Sequence, residues 1–312
     1  MAEKTKVFID GKAGTTGLRI YDRLSERDDI ELITLSEEKR KDTAARREAL
    51  NSCDVAFLCL PDDAAREAVS LVENPAVKVI DTSTAHRTLP EFAYGFPELS
   101  EAFEKKIKTS NRIAVPGCHA GGFIALVYPL VEKGIISADL QLTCHSITGY
   151  SGGGKKMIAE YEGDSPDILL SAPRQYGITQ SHKHLKEMIK ISGINNAPIF
   201  CPIVSGFYSG MEVTVPLFAD NLEYGGIEDI KNIYRQKYNT DIVRYCDAQD
   251  EGGFLSAGKK SGLDSMQIEV YGNEERILLV ARYDNLGKGA SGAAIECMNI
   301  ACGKEKSLGL AL

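Results

Sequence analysis

Cys118 has the surroundings that most strongly suggest covalent chemistry. It lies in AVPGCHAGGF, residues 114–123, where a short apolar run and a Pro-Gly pair precede a run of small residues. We expect a strand to end at Pro116, Gly117 to turn the chain and Cys118 to begin a helix. The amides and dipole of a helix N-terminus favour a thiolate over a thiol. The alternative is a buried, inert cysteine, which is the commoner state of a free thiol.

Two histidines could serve such a thiolate. His182 and His184 lie two residues apart in HKHLKEM, and the chain has only five histidines. Imidazole titrates near neutral pH, so one of the pair could take the thiol proton, although a solvated helix start is also compatible with the pattern. The sequence does not decide between the two. None of the eight cysteines forms a CxxC pair, which argues against a zinc site.

A glycine-rich turn follows the first apolar run. Its sequence is GKAGTTG, with the spacing GxxGxxG rather than the usual GxGxxG. Glycines let the backbone approach a phosphate, and a helix N-terminus supplies N–H donors. A plain strand–helix turn is the competing interpretation. We predict that this turn binds a dinucleotide pyrophosphate through Gly11, Gly14, Thr15, Thr16 and Gly17.

The end of the second predicted strand bears on the choice of nicotinamide. The sequence there is TLSEEKRK, which places a hydroxyl at Ser36 and cations at Lys39 and Arg40. A hydroxyl with nearby cations suits a 2′-phosphate, so we predict NADP(H). Glu37 and Glu38 count against this choice, and a solvated charged helix start explains the run nearly as well.

Two further loops could bind anions. DTSTAHR, residues 81–87, ends the fourth predicted strand, and ligands of open α/β sheets bind at the carboxyl ends of strands. Arg87 could hold a phosphate or carboxylate through its planar guanidinium, or it could be a surface-loop arginine. YSGGGKK, residues 150–156, is either an anion-binding loop or a flexible turn.

The elements that position these residues fall into two groups. In the first third, short apolar runs alternate with helical patterns; the runs lie at residues 6–9, 30–35, 54–60, 77–80 and 112–115. They predict buried parallel strands in a Rossmann-type, doubly wound α/β sheet. Between the first two runs, Leu18, Tyr21 and Leu24 are spaced as on one face of a helix.

From about Leu140 the strands become longer and more alternating. The runs QLTCHSIT, PIFCPIV, MEVTVPLF, QIEVYG and RILLVARY predict an α+β domain whose mixed sheet has one solvated face. Residues 227–238 form an amphipathic helix pattern, and a helical tail is expected at residues 290–301.

Composition excludes several functional classes. The chain has 312 residues, a net charge of −8 and 43% hydrophobic residues, a profile typical of a soluble globular protein. An acidic chain is not expected to bind nucleic acid or anionic membranes, which require a basic face. No apolar run reaches the ~18 residues of a membrane span, and the N-terminal sequence lacks a secretion signal. We expect a cytoplasmic protein.

Taken together, four motifs carry a family resemblance. VPGCHA, SGGGKK, HKHLKEM and above all DNLGKGASGAAIECMN, residues 284–299, resemble the N-acetyl-γ-glutamyl-phosphate reductases, the NADPH enzymes of arginine biosynthesis, and in particular their short form. CLPDDAA, DTSTAHR and YGFPEL fit the family's order. The resemblance runs from Gly11 to the tail helix.

The resemblance implies roles for individual residues. The nucleophile falls on Cys118, the basic histidine within the pair His182 and His184, and the phosphate-side arginine on Arg87, with His119 beside the substrate. The residues implied around the cofactor, beyond the glycine turn and Ser36, are Leu60, Pro61, Ser151, Gly152, Asn285, Lys288 and Gly289. Residues 1–117 with 284–312 would bind NADP, and residues 118–283 would form a catalytic and dimerisation domain.

The implied reaction is the reduction of a small-molecule acyl phosphate through a thioester on Cys118, with release of inorganic phosphate and a semialdehyde. The second domain's sheet suggests a homodimer or homotetramer. Aspartate-semialdehyde dehydrogenase, acetyl-aminoadipyl-phosphate reductase and a non-catalytic NADP-binding regulator are the alternatives; the tail KGASGAAIECMN favours the glutamyl enzyme. The sequence departs from the family motif at one place. Ala120, Gly121 and Gly122 stand where the motif often has a threonine, which suggests a missing hydroxyl contact.

Overall fold

The structure, a computed structural model, describes residues 4–312 and contains two compact units. The first unit extends to Pro116 and includes Ala290–Leu310. The second consists of Gly117–Gly289 with Ala311–Leu312. Within the described residues, no helix is both long and apolar enough to cross a bilayer.

Residues 4–116 form a six-stranded parallel sheet. Its strands are β1 (Thr5–Asp10), β2 (Ile30–Ile33), β3 (Val55–Leu58), β4 (Lys78–Asp81), β5 (Ala93–Tyr94) and β6 (Arg112–Ala114). Their order is β2-β1-β3-β4-β6-β5, and all pairs are parallel. The predicted Rossmann-type sheet is confirmed. The two-residue strand β5 is missing from the sequence prediction because it is too short to show a period.

Four helices accompany this sheet: α1 (Thr15–Ser25), α2 (Thr43–Ser52), α3 (Asp62–Leu71) and α4 (Glu101–Thr109). The predicted inner face of α1 is wrong at one position. Gly17, Ile20 and Leu24 are buried, whereas Leu18 is 46% exposed. Leu18 instead lines a surface cavity of this unit together with Tyr21.

The second unit is built on a seven-stranded mixed sheet. Its strands are β7 (Thr143–Gly149), β8 (Arg174–Gln175), β9 (Ile199–Ser205), β10 (Met211–Phe218), β11 (Val243–Tyr245), β12 (Met266–Gly272) and β13 (Arg276–Tyr283). Their order is β11-β12-β13-β10-β7-β9-β8, with parallel pairs only at β11/β12 and β7/β9 within the described residues. The predicted mixed sheet is confirmed.

The helices of this unit are α5 (Cys118–Glu132), α6 (Gly154–Glu162), α7 (Leu185–Ser192) and α8 (Ile227–Lys237). Helix α5 is buried along most of its length and packs against β10, β13, α7 and α8. Helix α8 matches the amphipathic pattern predicted for residues 227–238. The core of the unit therefore lies between α5 and the sheet.

The prediction of one solvated sheet face is wrong on β12 and β13. Arg282 is fully buried there and bonds Glu269 at 2.7 Å and Glu251 at 2.9 Å. Glu251 comes from the loop that follows β11, so this loop covers the polar face. A buried guanidinium needs both carboxylates because burying an unpaired charge is strongly unfavourable.

The chain returns to the first unit at its C-terminal end. A π-helical turn at Gly287–Ser291 precedes α9 (Gly292–Ala301). Ile295 and Met298 of α9 are in one hydrophobic cluster with Val7, Ile20 and Phe57. The helix therefore completes the apolar core on one side of the parallel sheet.

Candidate active site

Cys118 is the first residue of α5, as the sequence predicts. Strand β6 ends at Ala114, Gly117 is the N-cap residue in an extended conformation, and no side chain caps the helix. The cysteine is half-buried. The sulfur therefore lies at a helix N-terminus, where the backbone amides and the helix dipole stabilise a thiolate.

The Glu187 carboxylate links the turn at Gly117 to the N-terminus of α7 by a hydrogen bond. Glu187, in the first turn of α7, accepts a hydrogen bond from the amide of Gly117 at 2.8 Å and is 2% exposed. His184 is the N-cap residue of α7. A buried hydrogen bond therefore joins the N-termini of α5 and α7, whose end residues are Cys118 and His184.

Three imidazoles form a cluster around His119, the residue that follows Cys118. The ring of His119 lies 6.0 Å from His182 and 5.7 Å from His184, and the last two rings are 4.7 Å apart, all between centroids. Phe200 of β9 packs edge-on against His119 and His182. The structure thus brings both histidines of the predicted pair into contact with His119, the residue that follows Cys118.

His119 is the buried centre of this cluster. Its Nδ1 is 2.7 Å from the Ser146 hydroxyl and its Nε2 is 2.6 Å from the Tyr176 hydroxyl. Burial, with a smaller contribution from His182, lowers the pKa of His119 to about 3. The ring is neutral at neutral pH, and a hydrogen bond from it to a substrate would require one of these two bonds to break.

The Tyr176 hydroxyl, which bonds to His119, also experiences the charge of Cys118. Burial raises the pKa of the Tyr176 hydroxyl, and the negative charge of Cys118 raises it further. The hydroxyl therefore remains protonated near the sulfur. Tyr176 and Ser146 are absent from the sequence prediction because both lie on or beside strands distant in sequence from Cys118, and no local motif marks them.

The hydrogen bonding of His182 fixes its tautomer. Its Nδ1 accepts a hydrogen bond from the backbone amide of His184 at 3.2 Å. Burial, and then Lys183, lowers the pKa of His182, so its ring is neutral at neutral pH. A neutral imidazole whose Nδ1 accepts carries its proton on Nε2.

The segment that follows β13 is a tightly bonded turn. Asp284 accepts hydrogen bonds from the amides of Gly262 at 2.7 Å and Leu286 at 3.0 Å. Asn285 is buried; its amide nitrogen donates to the Ser151 hydroxyl at 3.0 Å and its oxygen accepts from the Gly210 amide. Two residues that the sequence assigns to the cofactor, Asn285 and Ser151, are thus hydrogen-bonded to each other.

The other assigned residues of this unit lie near the same turn. A Cβ atom on Gly152 would approach the Asn285 amide nitrogen to 3.5 Å. Lys288 is 4% exposed on the π-helical turn. A Cβ atom on Gly289 would lie 3.1 Å from the Cβ of Cys118, so Gly289 packs directly against the cysteine. The structure places Gly289 against Cys118 itself.

The glycine turn of the first unit is close-packed. Gly11 has φ +87°, and a Cβ atom there would lie 2.2 Å from the carbonyl oxygen of Cys59. A Cβ atom on Gly17 would lie 2.6 Å from the oxygen of Gly11, and the Gly14 amide donates to that same oxygen at 2.9 Å. Glycine is therefore required at Gly11 and Gly17 for the turn itself.

The turn also fits a dinucleotide phosphate. The Thr15 hydroxyl is buried without a hydrogen-bond partner among residues 4–312, and no side chain caps α1. A cavity of about 430 Å³, lined by Gly11, Lys12 and Leu60 among others, lies beside it. A buried polar atom lacking a partner implies a missing ligand or water, and helix N-termini bind phosphates. Pro61 is the N-cap residue of α3, next to Leu60.

The cations near this cavity differ partly from those selected by sequence. Arg40 and Lys41 line it, whereas Ser36 and Lys39 are not among the lining residues. Arg40 also pairs with Glu37 at 2.7 Å, with both side chains largely exposed. An exposed pair of this kind contributes little to stability, so Arg40 can exchange Glu37 for a phosphate.

Arg87 is not the surface-loop arginine of the alternative interpretation. It is 8% exposed; its Nε donates to the carbonyl of Val115 at 2.8 Å and its Nη2 to that of Thr82 at 2.9 Å. The guanidinium is thereby oriented at the carboxyl ends of β4 and β6.

Within residues 4–312, no group of three or more His, Cys, Asp or Glu side chains is arranged to hold a metal ion.

Comparison with known proteins decides the family. The NAD binding domain of semialdehyde dehydrogenases matches residues 6–108, and their dimerisation domain matches residues 118–285. The N-acetyl-gamma-glutamyl-phosphate reductase 2 of Nostoc sp. is 45% identical over 98% of this chain and 99% of its own length. The corresponding reductase of Sinorhizobium medicae is 44% identical over 95% and 98%. The chain belongs to the N-acetyl-γ-glutamyl-phosphate reductase family.

A solved structure agrees with the fold of this reductase family. Aspartate semialdehyde dehydrogenase II of Vibrio cholerae superposes with a TM-score of 0.73 at 16% identity, covering 96% of this chain and 99% of its own. Likeness at that identity concerns the fold alone. The matched NAD binding domain means that the cofactor of this reductase family member is a nicotinamide dinucleotide.

Two further residues of the site could have been found from the motifs. Glu187 follows His184 by three residues in HKHLKEM, the spacing of neighbours on a helix face. Tyr283 directly precedes the run at residues 284–299. Both contact the turn that carries Cys118.

Proposed function

We propose that this chain reduces N-acetyl-L-glutamyl 5-phosphate to N-acetyl-L-glutamate 5-semialdehyde with NADPH and releases inorganic phosphate. The observation that carries the proposal is Cys118 at the start of α5, beside three imidazoles and joined through Gly117 to Glu187. Relatives at 44% and 45% identity are named as reductases of N-acetyl-gamma-glutamyl phosphate.

Cys118 acts as the nucleophile. Its thiolate attacks the acyl carbon, the carbon–oxygen bond to phosphate breaks, and a thioester and free phosphate result. A reduced nicotinamide dinucleotide, held by the glycine turn at Gly11, Gly14 and Gly17, would supply the hydride that reduces the thioester carbon. The carbon–sulfur bond then breaks, so that the semialdehyde leaves and the thiolate is regenerated. A thioester accepts hydride more readily than a carboxylate does, which is the reason for the covalent step.

His184 is the proposed base for the thiol proton. It is the end residue of α7, and the hydrogen bond between Glu187 and Gly117 joins that end to the turn of Cys118. His182 is less suited, because its Nδ1 accepts from an amide and its Nε2 then carries the proton. His182 is suited instead to donate a hydrogen bond to a substrate oxygen.

The reaction is tested with a panel of aldehydes in the oxidative direction. N-acetylglutamate semialdehyde, aspartate semialdehyde and acetyl-aminoadipate semialdehyde are each supplied with phosphate and NADP⁺, and nicotinamide absorbance is followed. We expect the N-acetylglutamate compound to give the highest kcat/KM. A higher value for either other aldehyde would contradict the proposed substrate, and inactivity with all three would favour a non-catalytic protein.

We further infer that the second unit mediates a homodimer or homotetramer. The support is that the family domain matched by residues 118–285 is described as a dimerisation domain. Light scattering of the purified chain at micromolar concentration would give the mass directly, and a mass of one chain would contradict the inference.

The choice of NADP(H) over NAD(H) depends on the cations of the first unit. We expect wild type to prefer NADPH by about tenfold to a hundredfold in kcat/KM, since a charge-assisted contact contributes roughly 1.5–3 kcal/mol. Arg40→Gln and Lys41→Gln should each reduce this preference, because both residues line the cavity. Lys39→Gln is the matched control and should leave it unchanged. Equal kcat/KM for both nicotinamides in wild type would disprove NADP specificity.

Arg87 is proposed to bind the phosphate that leaves. Arg87→Lys keeps the charge but loses the planar fork, which at such a site is not conservative. In the oxidative direction we expect the KM for phosphate to rise about tenfold or more. Arg66→Lys, an exposed arginine paired with Asp63 in the same unit, is the control. An unchanged phosphate KM with a raised semialdehyde KM would mean that Arg87 binds the substrate carboxylate instead.

A further inference from the structure

The hydroxyl of Tyr283 is hydrogen-bonded to two backbone groups of the first turn of α5. In a regular α-helix the amide of residue 122 donates to the carbonyl of residue 118. The Gly122 amide also donates to the Tyr283 hydroxyl at 3.0 Å, and that hydroxyl donates to the carbonyl of Cys118. The side chain therefore bridges the two backbone groups, one of which belongs to the nucleophile.

The absence of a side chain at Gly122 makes these hydrogen bonds possible. A Cβ atom at Gly122 would lie 2.5 Å from the Tyr283 hydroxyl oxygen and 2.7 Å from a methyl carbon of Val213. A side chain at this position would force the Tyr283 ring or Val213 to move. Gly122 is one of the small residues after Cys118 that depart from the family pattern. Its lack of a side chain is explained by the Tyr283 hydroxyl, which occupies the space that a Cβ atom would take.

The same segment touches Cys118 a second time. Gly289 follows Tyr283 by six residues, and a Cβ atom on it would lie 3.1 Å from the Cβ of Cys118. The turn between them is held by Asp284, whose backbone oxygen accepts from the Gly289 amide at 3.0 Å. Residues 283–289 therefore contact Cys118 twice, at its backbone carbonyl and at its Cβ atom.

We propose that Tyr283 is a positioning residue that sets the backbone of Cys118 and thereby the direction of its sulfur. The proposal rests on the proposed role of Cys118 as nucleophile. Tyr283 is fully buried, and burial raises the pKa of its hydroxyl well above the ordinary value, so the group stays neutral and keeps both hydrogen bonds. Orientation matters because a displacement of about 1 Å at a reacting atom can reduce the rate by ~10²-fold.

Helix α5 offers a matched control. Pro129 lacks an N–H group, so the carbonyl of Ala125 loses its helical partner, and the hydroxyl of Tyr238 donates to that carbonyl at 2.7 Å. Tyr238 is also buried. Tyr238→Phe therefore removes a buried hydroxyl–carbonyl hydrogen bond from the same helix, about two turns away from Cys118.

The experiment compares Tyr283→Phe and Tyr238→Phe with wild type. Three quantities are measured: the rate at which iodoacetamide alkylates Cys118, followed on its peptide by mass spectrometry; kcat with KM for NADPH; and the melting temperature. We expect Tyr283→Phe to slow alkylation and to reduce kcat by about 10- to 100-fold, with the KM for NADPH unchanged. Tyr238→Phe should retain both rates even where its melting temperature falls.

Each outcome has a distinct meaning. Wild-type rates in Tyr283→Phe would overturn the positioning role, and so would equal losses in the two variants, which indicate a general effect on α5. If Tyr283→Phe does not fold, Gly289→Ala tests the second contact and should slow alkylation of Cys118; unchanged alkylation would then overturn the proposal. A wild-type Cys118 no more reactive than the other cysteines would instead contradict the proposed function.

Discussion

Replacing Cys118 with serine should reduce turnover by about 10⁴-fold or more, because a serine hydroxyl at the end of α5 is not ionised at neutral pH. The fold and the binding of NADPH should remain, since the substitution removes no backbone hydrogen bond. Initial rates, nicotinamide binding by fluorescence and the melting temperature measure the three quantities. Cys246→Ser, at another half-buried cysteine of the same unit, is the control and should stay active.

Alkylation distinguishes a reactive thiolate from an inert thiol. Burial raises the pKa of the Cys53 and Cys59 thiols to about 12, and it raises the pKa of Cys246 and Cys302. These thiols should react slowly with iodoacetamide at neutral pH, whereas Cys118 should react fastest and be protected by substrate. A Cys118→Ser enzyme with near-wild-type kcat, or a Cys118 that reacts no faster than Cys246, would exclude it as nucleophile.

Replacing His184 with asparagine should lower kcat by ~10²–10⁴-fold, the usual contribution of a general acid or base. Asparagine keeps a polar side chain of similar size, so Glu187 and Gly117 should retain their hydrogen bond. The acylation rate of His182→Asn should fall much less. The neutral His182 ring already carries its proton on Nε2, so it is not the group that accepts the thiol proton. Stopped-flow kinetics of both variants would separate acylation from hydride transfer.

Two results would contradict this assignment. A larger loss in His182→Asn than in His184→Asn would exchange the two roles. Near-native kcat in both variants would mean that the pair is structural. His119→Asn is not a suitable probe, since it breaks the bonds to Ser146 and Tyr176 together and would perturb the whole cluster.

Local pattern predicted those elements whose signal is contained in a short stretch. The parallel strands, the glycine turn and the start of α5 at Cys118 each follow from apolar runs bounded by Gly or Pro, and these assignments are confirmed. Periodicity alone misplaced Leu18, since residues lining a surface cavity can be apolar and exposed. Alternation did not reveal the buried Arg282, because a loop distant in sequence covers that face.

The partners of the site residues could not be predicted in the same way. His119 is fixed by Ser146 and Tyr176, and Cys118 by Tyr283, through contacts between segments far apart in the chain. A single sequence contains no measure of such distances. The sequence also does not predict whether the Arg87 side chain is exposed. A loop position at a strand end is compatible with either a surface or a buried guanidinium.

The central claim is a thioester on Cys118, and one measurement tests it most directly. The enzyme is mixed with N-acetylglutamate semialdehyde and NADP⁺ without phosphate, quenched in acid and analysed by peptide mass spectrometry. We expect a burst of about one equivalent of NADPH per chain, a matching N-acetylglutamyl mass on the Cys118 peptide, and steady turnover once phosphate is added. Full turnover without phosphate, or a burst that leaves Cys118 unmodified, would contradict the mechanism.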